Sequence, residues 1–219
     1  MQPTHRESAE RLRSLVASAA AHPSVVRDAL RGVPPLDRDA WLDVVLGLDS
    51  IPDDGPELPR GCVPYLPCPV DALLRMVDQA EVQASDVFVD VGSGVGRAAA
   101  FVQLLTGATV LGIEIQPELV RASRELAARM PGVHLSVIEG DAAQRADVMA
   151  SASIVFLYCP FSGARWEQLL DDLEAVAMKR PIRICSVDLP IVSRPWLTLV
   201  SEPSRDLAIY RSSGASPLA

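Results

Sequence analysis

Three acids and three glycines carry the chemistry legible in this sequence. The run Val87-Phe88-Val89-Asp90-Val91-Gly92-Ser93-Gly94-Val95-Gly96 reads as an apolar strand that ends in an acid and turns through alternating glycines into a helix. Glycine permits the tight positive-φ turn and lets the backbone approach a ligand with no Cβ in the way. In an open α/β sheet, ligands bind at such turns, beyond the carboxyl ends of the strands. The next strand, Thr109 to Ile113, ends in Glu114, where a carboxylate can accept both hydroxyls of a ribose. The strand after that ends in Ile138-Glu139-Gly140-Asp141-Ala142, which puts Asp141 at the next sheet edge, within reach of an adenine amino group. Any one of these acids is also explained as a helix cap, Asp141 above all. Three acids at successive strand ends, together with the glycine turn, predict a single nucleoside-binding constellation.

The glycine spacing narrows the ligand. A dinucleotide site uses G-x-G-x-x-G, with the helix N-terminus facing a pyrophosphate. Here the order is G-x-G-x-G, and Arg97 stands where that third glycine belongs. Asp90, just ahead of the first glycine, would repel a pyrophosphate and attract a cation.

The elements that hold these residues follow from periodicity. From Asp86 onward, short β-branched runs alternate with helical ones, the pattern of a parallel sheet with crossover helices. Strands are predicted at Val87–Val91, Thr109–Glu114, Val133–Ile138, Ile154–Tyr158 and Ile182–Val187, then Leu197–Ser201 and Leu207–Arg211 with no full helix between the last pairs. One intervening helix has the face Leu119, Ala122, Leu126 and Met130; another has Trp166, Leu169, Leu170, Leu173 and Val176. Ahead of the sheet, Thr4 and Glu7 have capping-box spacing before a first helix. Further helices are predicted at Pro23–Leu30, at Pro35–Leu46 ending on Gly47, and at Val70–Ala80. Prolines at 52, 56, 59, 64, 67 and 69 mark a connector. The organisation read from this is a helical extension (1–50), a proline-rich connector (51–69) and the main domain (70–219), with Ser212 to Ala219 as a frayed tail. Because the cofactor residues follow the connector, removing Met1 to Asp49 is expected to spare cofactor binding.

Composition sets outer limits. An apolar share of 49% with 22% charged residues lies outside the disordered regime. With 28 acidic against 20 basic residues, a net charge of -8 and a pI near 4.9, the field of the molecule repels phosphate backbones, so nucleic acid is disfavoured as a partner. The four cysteines (Cys62, Cys68, Cys159, Cys185) include no C-x-x-C pair, and the three histidines lack metal-ligand spacing. They read as reduced thiols of a cytoplasmic protein without a metal site, with Cys159 and Cys185 as small buried hydrophobes. No stretch reads as a membrane span.

Asp90 to Gly96, Glu114 and Asp141 resemble the successive S-adenosylmethionine (SAM) binding motifs of class I, seven-strand methyltransferases. The likeness covers roughly Tyr65 to Arg211. It implies a Rossmann-like, doubly wound sheet, mostly parallel with one antiparallel strand, and SAM as cofactor. It also implies a cofactor site of Asp90, Gly92, Ser93, Gly94, Gly96, Glu114, Ile115, Asp141, Ala142 and Tyr158, and an acceptor pocket after Tyr158. That position reads Tyr158-Cys159-Pro160-Phe161, unlike the Asn-Pro-Pro-Tyr of methyltransferases acting on base or glutamine nitrogen. The segments Val63 to Pro69, Gly94-Val95-Gly96-Arg97 and Ser186-Val187-Asp188-Leu189-Pro190 resemble seven-strand protein lysine methyltransferases and their bacterial relatives. By that likeness Tyr65 closes over the methionine end of SAM, while Tyr158 and Asp188 serve the acceptor. Three functions follow from these readings: methylation of a protein lysine, methylation of a small metabolite, and an interaction module that has lost catalysis. The intact glycines and acids argue against the third.

Overall fold

A computed structural model of the chain describes residues 1–55, 58–202, 204 and 206–213. Pro56 and most of the C-terminal tail, residues 214–219, lie outside the described residues.

Three helices come first: α1 (Pro3–Ala17), α2 (Pro23–Arg31) and α3 (Pro35–Leu46). Each begins on a proline, whose fixed φ and missing amide suit a first helical turn. That proline, not a capping box, starts α1: its N-cap is Gln2 and no side chain caps it, so the role read for Thr4 and Glu7 is not formed. Gly47, left-handed at φ 66°, ends α3. After the connector come α4 (Val70–Gln79), β1 (Val87–Val91), α5 (Arg97–Thr106), β2 (Thr109–Glu114), α6 (Pro117–Arg129) and β3 (Leu135–Glu139). A short 3-10 turn (Ala142–Gln144) and α7 (Ala146–Met149) lead to β4 (Ile154–Tyr158), α8 (Ala164–Ala177), β5 (Arg183–Val187), β6 (Leu197–Leu199) and β7 (Leu207–Ser212).

The sheet runs β3-β2-β1-β4-β5-β7-β6. The pairs from β3 through β5 are parallel, while β7 is antiparallel to both β5 and β6. This is the doubly wound, Rossmann-like sheet expected, with one reversed strand. Strand order changes direction at β1 and β4, so the crevice beyond their carboxyl ends is the topological switch point. Several boundaries differ from the sequence reading by a residue or two, among them the start of β5 at Arg183 and the end of β6 at Leu199. Strand β3 starts two residues late, since Val133 is taken up by the turn that closes α6. Ser212 belongs to β7, not to the tail: its buried hydroxyl accepts from the Ile182 amide at 2.9 Å.

The core lies on both faces of the sheet. One face, around Val89, Leu157 and Ile184, is covered by α8 through Leu169, Leu170 and Leu173. The other, around Phe88 and Phe156, is covered by α4 and α5 and, in the same cluster, by Leu12, Val16, Leu30, Trp41, Leu42 and Leu46 of the first three helices. Those helices therefore share their hydrophobic burial with the sheet domain that follows the connector. On α6, the Leu119 and Leu126 face is buried as read, but the partner buried beside them is Ser123 and not Ala122. Ser123 packs against Gly96, where a Cβ would collide with its hydroxyl and with Leu135. Among the described residues, no helix is long and apolar enough to cross a membrane.

Candidate functional site

The Gly-rich turn leaves β1 with Gly92, Gly94 and Gly96 all at positive φ (75°, 54° and 80°). At Gly94 the reason is a close approach: the Tyr65 ring from the connector lies against it, and an added Cβ would overlap that ring. Gly96 then serves as the left-handed N-cap of α5. Arg97 follows, 3% exposed, and fixes the turn to everything behind it. Its guanidinium donates to Asp43 Oδ1 at 2.6 Å, to Asp39 Oδ1 at 2.9 Å and to the Cys68 carbonyl at 2.8 Å. Asp39 in turn accepts from the Val70 amide that opens α4. The buried charge is thus paired, with each of its three nitrogens hydrogen-bonded, the condition under which such burial is tolerated.

The three acids differ in how they are satisfied. Asp90 is 3% exposed and its Oδ2 meets no hydrogen-bond donor among the described residues. Burial pushes its pKa up to about 7; the nearby Glu114 carboxylate adds to the rise and the Ala99 amide offsets part of it. The Ser93 hydroxyl and the Tyr65 phenol are likewise buried without a partner. Burial is also the main reason the Tyr65 phenol is pushed well above its ordinary range. Glu114, by contrast, accepts from the Gly94 amide at 2.8 Å through one oxygen and from the Gln116 amide at 2.8 Å through the other. Its carboxyl is still raised, chiefly by burial, with those amides opposing the rise. Asp141 Oδ1 accepts from the Ala143 amide at 3.1 Å, so the capping role considered for it is real. Its Oδ2 is paired with Arg165 at 2.8 Å.

Glu114, Asp141 and Tyr65 line one cleft, with about 840 Å³ of empty space when its open mouth is included. Gly92, Glu114, Ile115, Asp141 and Ala142 form one side, and Tyr65 reaches in from the connector. Tyr158, Cys159, Pro160, Phe161 and Asp188 form the other. Asp90, Ser93, Gly94 and Gly96 lie in or behind the turn and are not part of the lining. Cys159 is half-buried in this wall and is not the core hydrophobe expected, whereas Cys185 is fully buried; all four thiols are free. Cys159 (φ 43°) and Asp188 (φ 53°) are non-glycine residues in the left-handed region, at the ends of neighbouring strands. Such strain collects at functional sites. The Tyr158 phenol is pushed up by burial and by the charges around it, Asp188 among them.

The connector is strapped across the cleft by residues that periodicity does not mark. Gln116 donates to Asp54 Oδ1 at 2.8 Å and accepts from the Gly55 amide at 2.8 Å; Asp54 also holds the Tyr65 amide at 2.9 Å. Cys62 bridges to Phe161, and Arg165 reaches the Arg60 carbonyl at 2.6 Å. Asp54, Gln116 and Arg165 were missed by the sequence reading; the proline spacing marked the strap without its anchors. Among the described residues, no cluster of metal-ligating side chains occurs.

Residues 67–132 match the family model described as histone methylation protein DOT1, a segment that holds Asp90, the glycine turn and Glu114. No curated protein matches the chain in sequence. Among solved structures, the chain is similar to the Escherichia coli protein yhhF, assigned as a methyltransferase, at 18% identity and TM-score 0.54 over 76% of this chain and 92% of that one. It is similar to a precorrin-6y C5,15-methyltransferase from Geobacter metallireducens at 14% identity and TM-score 0.50, covering 71% and 94%. An RNA methyltransferase from Salinibacter ruber, in complex with S-adenosylhomocysteine (SAH), matches at 24% identity and TM-score 0.48, covering 67% and 92%. The fold is that of the class I SAM-dependent methyltransferases.

Proposed function

We propose that this protein is a SAM-dependent methyltransferase whose acceptor is the side-chain amine of a lysine on a protein partner. The methyltransferase reading is supported by the fold, by the family match across the glycine turn, and by the cleft that Gly92, Glu114 and Asp141 line at the ends of the strands. The observation that carries it is Asp90, a buried carboxylate with an unpartnered oxygen among the described residues, set behind the cleft wall two residues before Gly92, which lines the cleft. Such an oxygen costs free energy until a donor arrives, and a cationic amino group is the donor it fits.

When bound, SAM supplies a methyl carbon made electrophilic by the sulfonium that carries it. Asp90 and the turn at Gly92, Ser93 and Gly94 would hold the amino-acid end, with Gly96 and Arg97 fixing the turn and Tyr65 closing over it. Glu114 would take the ribose hydroxyls with lone pairs not used by the Gly94 and Gln116 amides. Ile115 and Ala142 would sandwich the adenine, and Asp141 would accept from its amino group.

The lysine reading rests on the other wall. Displacement at an activated carbon needs alignment and a free lone pair more than an acid or base. A lysine amine must first shed its proton from a pKa near 10.4, which an apolar, aromatic surround promotes by disfavouring the charged form. Tyr158 and Phe161 supply that surround, and the raised Tyr158 pKa keeps its hydroxyl neutral and able to accept from a neutral amine. Asp188, exposed at the mouth, attracts the ammonium as it arrives. The acidic surface steers basic segments to the cleft. The family model's own description, histone methylation, agrees with a protein acceptor.

Incubation of the protein with methyl-labelled SAM and cell lysate, followed by separation of protein-bound from organic-soluble label, tests the reading. Label on lysine, lowered by Tyr158→Phe in kcat with SAM affinity unchanged, is the expected outcome. Label confined to organic-soluble products would assign a small-metabolite acceptor instead.

A further inference from the structure

We infer that Arg165 is a positioning residue that makes the cleft selective for adenine, acting through Asp141; this rests on the proposed reading of Asp141 as the adenine ligand. Asp141 caps the turn after β3 and its carboxylate lines the cleft, 13% exposed. Left to itself, a short carboxylate at a strand end has several rotamers and solvent to satisfy it. Here both oxygens are fixed from outside the cleft, Oδ1 by the Ala143 amide and Oδ2 by Arg165 Nε.

Arg165 is itself held at a second point, because Nη1 donates to the Arg60 carbonyl at 2.6 Å. Next to it the Ser162 amide donates to the Gly61 carbonyl at 3.0 Å, and Cys62 bridges to Phe161. One guanidinium therefore joins three elements at this end of the cleft: the β3 end, the first turn of α8 and the connector. A planar fork with fixed donors suits that task, and a lysine, with a single ammonium, does not reproduce it.

The chemical consequence concerns which base is accepted. With its rotamer locked, the carboxylate offers only acceptor lone pairs to the cleft. The 6-amino group of adenine donates to such a surface. The 6-oxo group of hypoxanthine brings a second acceptor against it and is rejected. Loss of Arg165 frees Asp141 to turn towards solvent, and the rejection relaxes.

The test measures binding of SAH and of its hypoxanthine analogue, S-inosylhomocysteine, by calorimetry. The pair is partly exposed, 29% on the Arg165 side, so its variants are expected to keep the melting temperature of the parent. Arg165→Gln should weaken SAH about tenfold and narrow the preference for SAH over the analogue by a similar factor, the scale of one charge-assisted hydrogen bond. Arg165→Lys should restore part of the preference. In an Asp141→Asn background, which removes the carboxylate, Arg165→Gln should change the preference no further. Parental discrimination in folded Arg165→Gln, or an equal loss with and without Asp141, overturns the role assigned to Arg165. Failure of the parent protein to bind SAH at all overturns the cofactor reading as well, which separates the two.

Discussion

The two ends of the cleft are built on opposite principles. At the glycine turn, Asp90 and Ser93 behind the cleft wall and Tyr65 in it hold buried polar atoms that have no partners among the described residues. At the β3 end, Asp141 is mostly buried and already bonded on both oxygens. Burial without partners raises free energy that a cationic ligand can recover, so this end supplies affinity for charge. Bonds made in advance supply no such gain but fix direction, so the other end supplies selectivity for a neutral ring.

The largest expected effect tests what holds the starved end in place. Deleting residues 2–49 removes Leu12, Val16, Leu30, Trp41, Leu42 and Leu46 from the cluster that covers the sheet, and with them the Asp39 and Asp43 partners of Arg97. At about 1.5–3 kcal/mol per large buried side chain, the loss is of the same size as the roughly 5–15 kcal/mol that a domain has in hand. The truncated chain is expected to lack a cooperative thermal transition. A truncated protein that melts like the parent and binds SAH would show that the turn stands without its helical support, as the position of the motifs alone had suggested.

Asp90→Asn comes next and should act in opposite directions on fold and function. Because the folded pKa of Asp90, about 7, lies above its unfolded value, its favourable contribution is present at low pH and is lost as pH rises towards 7. The variant, which cannot ionise, should therefore melt higher than the parent at pH 8 while losing most of its SAM affinity. The same linkage predicts that SAM binding by the parent strengthens from pH 5.5 to 7.5 and releases a proton at the lower end, readable by calorimetry in buffers of different ionisation enthalpy. Flat affinity over that range would remove Asp90 from contact with the cation.

Glu114→Ala lies between the two ends in kind and in size. It should weaken SAM by about 1.5–3 kcal/mol, the worth of hydrogen bonds to a charged group, with the protein still folded. Unchanged affinity would mean that its bonds to Gly94 and Gln116 are its whole role.

The smallest effect concerns Tyr65. Since its phenol is buried and unpartnered, Tyr65→Phe should leave stability within about 1 kcal/mol of the parent or raise it. A clear drop in melting temperature would reveal a partner for the hydroxyl. Tyr65→Ala, which uncovers Gly94, should instead weaken SAH.

Much of this architecture was legible from one dimension. Strand and helix periods placed β1, β2 and β4 to the residue, and the glycine turn with its acids named the corner of the sheet where a ligand belongs. These are local properties: a period of two, a positive φ, an acid at a strand end. The sequence did not show which acid would lack partners, because that depends on which amides and guanidinium groups arrive from distant elements. Asp90 and Asp141 look alike in the chain, yet Arg165 comes to Asp141 from 24 residues away, and among the described residues no donor reaches Oδ2 of Asp90. Nor did the sequence join the first helices to the sheet, a union made by side chains of Trp41 and Arg97 that periodicity reports only as buried or charged. Local geometry is written in adjacent residues, whereas the balance of burial and hydrogen bonding at a site is a sum over contacts that only tertiary packing brings together.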